Sequence, residues 1–139
     1  MNLTIKMKNE LIKEIKFVVE RMKKVDSPSE KLYYFSAAYG IAHRILNFEY
    51  EPELAFIHNV LQSVYNMINT RISTFIKGQE TPVSVPNNLF EKLEEALGEM
   101  ALNIEKGDTT YLQLEKMVNL AYSTTGNGYY LYIKGMLKI

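Results

Sequence analysis

The chain is predicted to fold as an all-α protein, an antiparallel helical bundle of five to six helices, and three features carry that expectation. Apolar residues recur at spacings of three and four over five long segments, the period of a helix that buries one face. Stop-and-start residues stand between those segments: Ser27-Pro28-Ser29-Glu30, Glu51-Pro52 and Gly107-Asp108. Reactive side chains are scarce, with no Cys, two His (His43 and His58) and two Asp (Asp26 and Asp108), both at expected helix starts.

Helix 1 is expected over about 5–25. Leu11, Ile15, Val18, Met22 and Val25 step along one stripe, widened by Ile12 and Val19. Lys13, Lys16, Glu20 and Lys24 occupy the opposite face, and Glu20 with Lys24 forms a favourable i,i+4 pair. Ser27 then reads as an N-cap, Pro28 as the first helical residue and Glu30 as the reciprocal acid of a capping box.

Helix 2 is expected over about 28–47. Leu32, Phe35, Tyr39, Ala42 and Leu46 form its stripe, while Tyr34, Ala38, Ile41 and Ile45 make most of the other side apolar too. A helix of that kind is central or buries a second face in a partner. Gly40 costs about 1 kcal/mol relative to Ala in a helix, so it is expected to mark close packing against a neighbouring backbone. Helix 3, over about 52–77, follows a short acidic connector. Glu49, Glu51 and Glu53 suit the positive end of its dipole. Its seam is Leu54, Ile57, Leu61, Val64, Ile68, Ile72 and Phe75, and Gln62, Asn66, Asn69 and Thr70 make its outer face rich in uncharged polar groups.

Pro82 and Pro86 forbid helix across the stretch Gly78 to Asn88. Helix 4 is expected over 88–106, capped by Asn88 with Glu91 at N3, and helix 5 over 108–124, capped by Asp108 after the Gly107 stop. The two are expected to form a plain helical hairpin, because no second copy of the unit recurs as a repeat solenoid would require. The tail from Tyr129 to Ile139 has strand-like composition, yet five helices upstream and no partner strand favour a short helix over 128–138.

At 139 residues, one domain over 1–139 is expected. The hydrophobic fraction of 47% and charged fraction of 23% are those of an ordinary globular protein. Sixteen basic residues balance sixteen acidic ones, which argues against a general nucleic-acid coat. The charge is nevertheless uneven along the chain: residues 1–26 carry seven cations and four acids, and residues 79–106 two Lys and six Glu. Zero Cys removes disulfides and thiolate zinc sites, and suits a reducing compartment. The start shows no apolar signal-peptide core, and no apolar run approaches the roughly 20 residues of a membrane span. A cytoplasmic location and no membrane partner are therefore expected.

The chemistry-bearing residues fall into two groups. If helices 2 and 3 form a hairpin about residue 49 or 50, His43 lies level with Phe56 to His58, so both imidazoles and Tyr39 could share a small-ligand or metal pocket. The Glu-x-x-His motif of helical di-iron bundles is absent, so no metal or cofactor is expected. The second group interleaves cations and aromatics: Lys13, Lys16 and Lys24 on helix 1, with Tyr129, Tyr130 and Lys134 in the tail, a composition able to hold phosphates and stack bases. Glu10, Glu14 and Glu20 offset much of helix 1. No Ser-His-Asp set and no phosphate-cradling glycine loop is present. The function expected first is thus a non-enzymatic protein–protein interaction module, self-associating or a small subunit of a larger complex. A nucleic-acid-associated adaptor is the first alternative, and a small-ligand or metal binder through Tyr39, His43 and His58 the second.

Overall fold

The computed structural model describes residues 1–76 and 88–123, which form a bundle of five helices with no strand among the described residues. The helices are α1 (Ile5–Lys24), α2 (Pro28–Leu46), α3 (Pro52–Ile76), α4 (Leu89–Lys106) and α5 (111–123). The short helix expected over 128–138 lies outside the described residues.

Most residues of the stripes read from the sequence are buried, with Val25, Tyr39 and Leu46 half-buried, and the side chains of Ile72 and Phe75 lie outside the described residues. Leu11, Ile12, Ile15, Val18 and Met22 of α1 meet Leu32, Phe35, Ala38, Ile41, Ala42 and Ile45 of α2. Leu54, Ile57, Leu61, Val64 and Ile68 of α3 join the same core, as do Leu93, Leu97, Met100 and Ile104 of α4 and Leu114, Met117 and Ala121 of α5. Each such Leu or Ile contributes about 1.5–3 kcal/mol by leaving water, which dwarfs the few tenths per residue of helix propensity. Among α1 to α4, α1 packs on both α2 and α4, and α2 on both α1 and α3. Ile12 lies buried beside Leu11 and Ile15, which widens the apolar face of α1.

The helix ends follow local chemistry. Thr4 caps α1, its hydroxyl accepting from the Met7 N–H. Ser27 Oγ accepts from the Glu30 N–H at 3.1 Å, as the capping box requires. The return bond differs from the expected one, because the Ser27 hydroxyl donates to the Glu30 carboxylate at 2.9 Å. Lys24 and Glu20 pair at 2.7 Å.

Two caps depart from expectation. Asn88 precedes α4 but makes no side-chain cap bond. Its ψ of 10° is not the extended value that aims a cap oxygen at the second and third N–H groups. Asp108 does not cap α5. Gly107, at φ 78°, ends α4 in the left-handed conformation, and the Asp108 N–H donates to the Asn103 carbonyl at 2.8 Å. That bond closes a Schellman motif, so Asp108 completes α4. The first α5 turn instead closes on the Thr110 carbonyl, which accepts from the Leu114 N–H. Gly40 is a third departure. Among the described residues a Cβ placed there meets nothing within 4 Å, so no described backbone approaches it closely.

Candidate functional site

Four rings meet across the α2–α3 hairpin. Tyr39 and His43 are four apart on α2, and His58 and Tyr65 seven apart on α3, so each pair shares one helix face. The short connector sets the register that brings the faces together. The ring centres of His43 and His58 lie 5.3 Å apart at 34°. Tyr39 meets His58 edge-on at 6.1 Å and Tyr65 at 5.5 Å. His58 Nδ1 is 3.2 Å from the Asn59 side-chain oxygen. His43 is exposed, whereas Tyr39, His58 and Tyr65 are half-buried. Burial raises the Tyr39 hydroxyl above its ordinary value, and the neighbouring Tyr65 adds to the rise. The three residues expected to share a ligand pocket are thus brought together. Among the described residues no group of three His, Asp or Glu could hold a metal ion.

A second constellation, not anticipated from the sequence, occupies the end of the bundle where α1 starts, α2 meets α3 and α4 meets α5. Glu49 and Glu51 of the α2–α3 connector and Glu53 in the first turn of α3 tie these segments together. Glu49 accepts from the Thr4 N–H at 3.0 Å and the Thr4 hydroxyl at 2.5 Å. Those bonds lower the Glu49 carboxyl from its ordinary value. Glu51 accepts from the Asn2 N–H and, through its other oxygen, from the Glu53 N–H at the start of α3. Glu53, itself buried, accepts from both the N–H and the hydroxyl of Thr110, at 3.1 and 2.8 Å. Its second oxygen lies 3.8 Å from the Met1 amino group. The signal was the alternation Glu49, Glu51, Glu53, which read as helix-dipole charge but is a set of long-range tethers.

Around those tethers stand large apolar side chains in water. Ile5, Phe48 and Tyr50 are each at least three-quarters exposed, and Phe56, Tyr111 and Leu112 about half exposed. Phe56 and Tyr111 touch, ring centres 5.5 Å apart. All six belong to the segments that the three carboxylates hold at one end.

The basic residues of α1 are less free than their composition suggests. Lys16 pairs with Glu105 at 3.0 Å and Lys24 with Glu20. Arg21 donates to the Tyr34 hydroxyl at 2.9 Å and lies over that ring at 5.0 Å, which raises its affinity for its proton. Lys13 is exposed. Tyr129, Tyr130 and Lys134 lie outside the described residues. The surface hollows beside α4 are lined mainly by charged residues, including Lys92, Glu95, Glu99 and Lys116, and Glu99 and Lys116 pair across one of them at 3.2 Å. No described helix is long and apolar enough to cross a membrane.

Comparison with protein-family models, curated proteins and solved structures gives no match.

Proposed function

We propose that this chain is a non-enzymatic helical interaction module that self-associates through the end bearing Ile5, Phe48, Tyr50, Phe56, Tyr111 and Leu112. The exposure of these six side chains at one end supports the reading. At about 200 Å² per large side chain, their exposed fractions amount to on the order of 800 Å², the scale of one partner's share in a standard interface. A patch built from one surface fits a two-fold arrangement, in which the same residues serve both copies. The chain's zero net charge removes long-range repulsion between copies.

The tethers give such a surface its shape. Phe48 and Tyr50 flank Glu49, which is bonded to Thr4, and Tyr111 follows Thr110, which is bonded to Glu53. The apolar groups are therefore presented on held backbone, so less ordering entropy is lost when they are covered.

Hydrogen exchange measured at low and high protein concentration tests the proposal. Amides at 47–51 and 110–112 gain protection at high concentration if copies meet there. Exchange independent of concentration at those amides overturns it.

A further inference from the structure

We infer that His43 and His58 together form a binding site for a late first-row transition-metal cation, of the class Cu²⁺, Ni²⁺ or Zn²⁺, with water or an outside ligand completing its shell. The inference involves none of the six apolar side chains at the bundle end and stands independently of self-association.

Geometry carries it. An ion holding two imidazole nitrogens at about 2.0–2.1 Å with a tetrahedral angle between them places the two ring centres roughly 5 Å apart. The ring centres of His43 and His58 are 5.3 Å apart, with planes inclined at 34°. Little movement is needed to bring the rings to that separation. Both sit within helices packed as one hairpin, so the backbone positions of the pair are fixed before any ion arrives.

The surroundings of His58 suit a ligand. The Asn59 side-chain oxygen lies 3.2 Å from Nδ1 and holds that edge of the ring, leaving Nε2 outside this contact. Orientation of one ring nitrogen by an outer hydrogen bond is the usual arrangement around metal-binding His. The Tyr39 ring packs edge-on against the same imidazole and restrains it from another side. His43, being exposed, leaves the entry open to solvent.

The donor set also fixes the class of ion. Imidazole suits copper, nickel and zinc, whereas magnesium and calcium require oxygen ligands. No third His, Asp or Glu joins the pair among the described residues. The proposed site takes its remaining ligands from water or an added molecule, and two nitrogen ligands rank copper above nickel and zinc.

Calorimetric titration of the chelator-treated full chain with Cu²⁺, Zn²⁺ and Mg²⁺ near neutral pH tests the inference. One Cu²⁺ per chain is expected, bound more tightly than Zn²⁺, with no heat from Mg²⁺. His43→Ala and His58→Ala should each weaken Cu²⁺ binding more than about tenfold, and the electron paramagnetic resonance of the native copper form should show two nitrogen ligands, falling to one in either variant. Circular dichroism checks that each variant stays folded. Copper binding that survives both substitutions, or no saturable binding below millimolar Cu²⁺, overturns the inference. Neither outcome bears on the concentration dependence of exchange at the apolar end.

Discussion

Glu53 and Thr110 stand 57 positions apart in the chain, yet one carboxylate oxygen of Glu53 accepts both polar hydrogens of Thr110, from its N–H and its hydroxyl. Thr110 is fully buried and Glu53 nearly so. The start of α3 is thereby fixed to the start of α5. Glu53→Ala leaves two buried donors without their acceptor, at a cost of about 2–4 kcal/mol. Chemical denaturation should show that loss. A double-mutant cycle with Thr110→Val should show coupling above about 0.5 kcal/mol, whereas additive effects would mean the bond contributes nothing of its own.

Gly40 lies in the middle of α2 with open space where a Cβ would stand. Gly40→Ala therefore gains helix propensity with no clash, and stability should rise by about 0.5–1 kcal/mol. A loss of stability in the same denaturation experiment would show that the position is crowded.

Ser27 joins α1 to α2 through its cap bond to the Glu30 N–H. Ser27→Ala removes that bond and the partner of the Glu30 carboxylate, costing about 1 kcal/mol. Thr4, whose hydroxyl lies 3.4 Å from the Met7 N–H it caps, bonds to Glu49 as well. An unchanged unfolding midpoint in Ser27→Ala would contradict the capping role.

Glu94 is a buried acid on α4. Burial raises its carboxyl above the ordinary 4.5; Lys31 and Lys23 pull it down in part, and Glu91 pushes it up. The folded state thus binds this proton more tightly than the unfolded state. The associated penalty is absent well below 4.5, grows as pH rises, and is complete above the folded value. Glu94→Gln should therefore melt higher than the native chain near neutral pH, with the difference shrinking as the solution is made acidic. Thermal melts at both conditions check this, and a variant that melts lower at neutral pH would contradict it.

Periodicity made the five helices and most of their buried faces legible, because stripes such as Leu11-Ile15-Val18-Met22 report burial directly. The Ser27 cap was legible for a similar reason, since all of its partners are local. The meeting of His43 and His58 followed from counting back and forward from the α2–α3 connector. What escaped depended on distant partners or on backbone angles. Glu53 reads as dipole charge until Thr110 is placed beside it, and Asp108 reads as a cap until Gly107 draws it into the end of α4. Gly40 misled because glycine in a helix signals either close approach or open space, and the residue alone does not distinguish them. The exposed end escaped as well. Phe48 and Tyr50 are connector residues, and the tethers through Glu49, Glu51 and Glu53 are what gather them with Ile5, Tyr111 and Leu112.

Light-scattering mass across a concentration series, for the native chain and for Phe48→Ser/Tyr50→Ser, tests self-association most directly. The native mass should climb from 16.1 kDa toward twice that value through the micromolar range, while the folded double variant stays at 16.1 kDa. A native chain that remains at 16.1 kDa at every concentration, or a variant that associates as the native chain does, would contradict the role assigned to the apolar end.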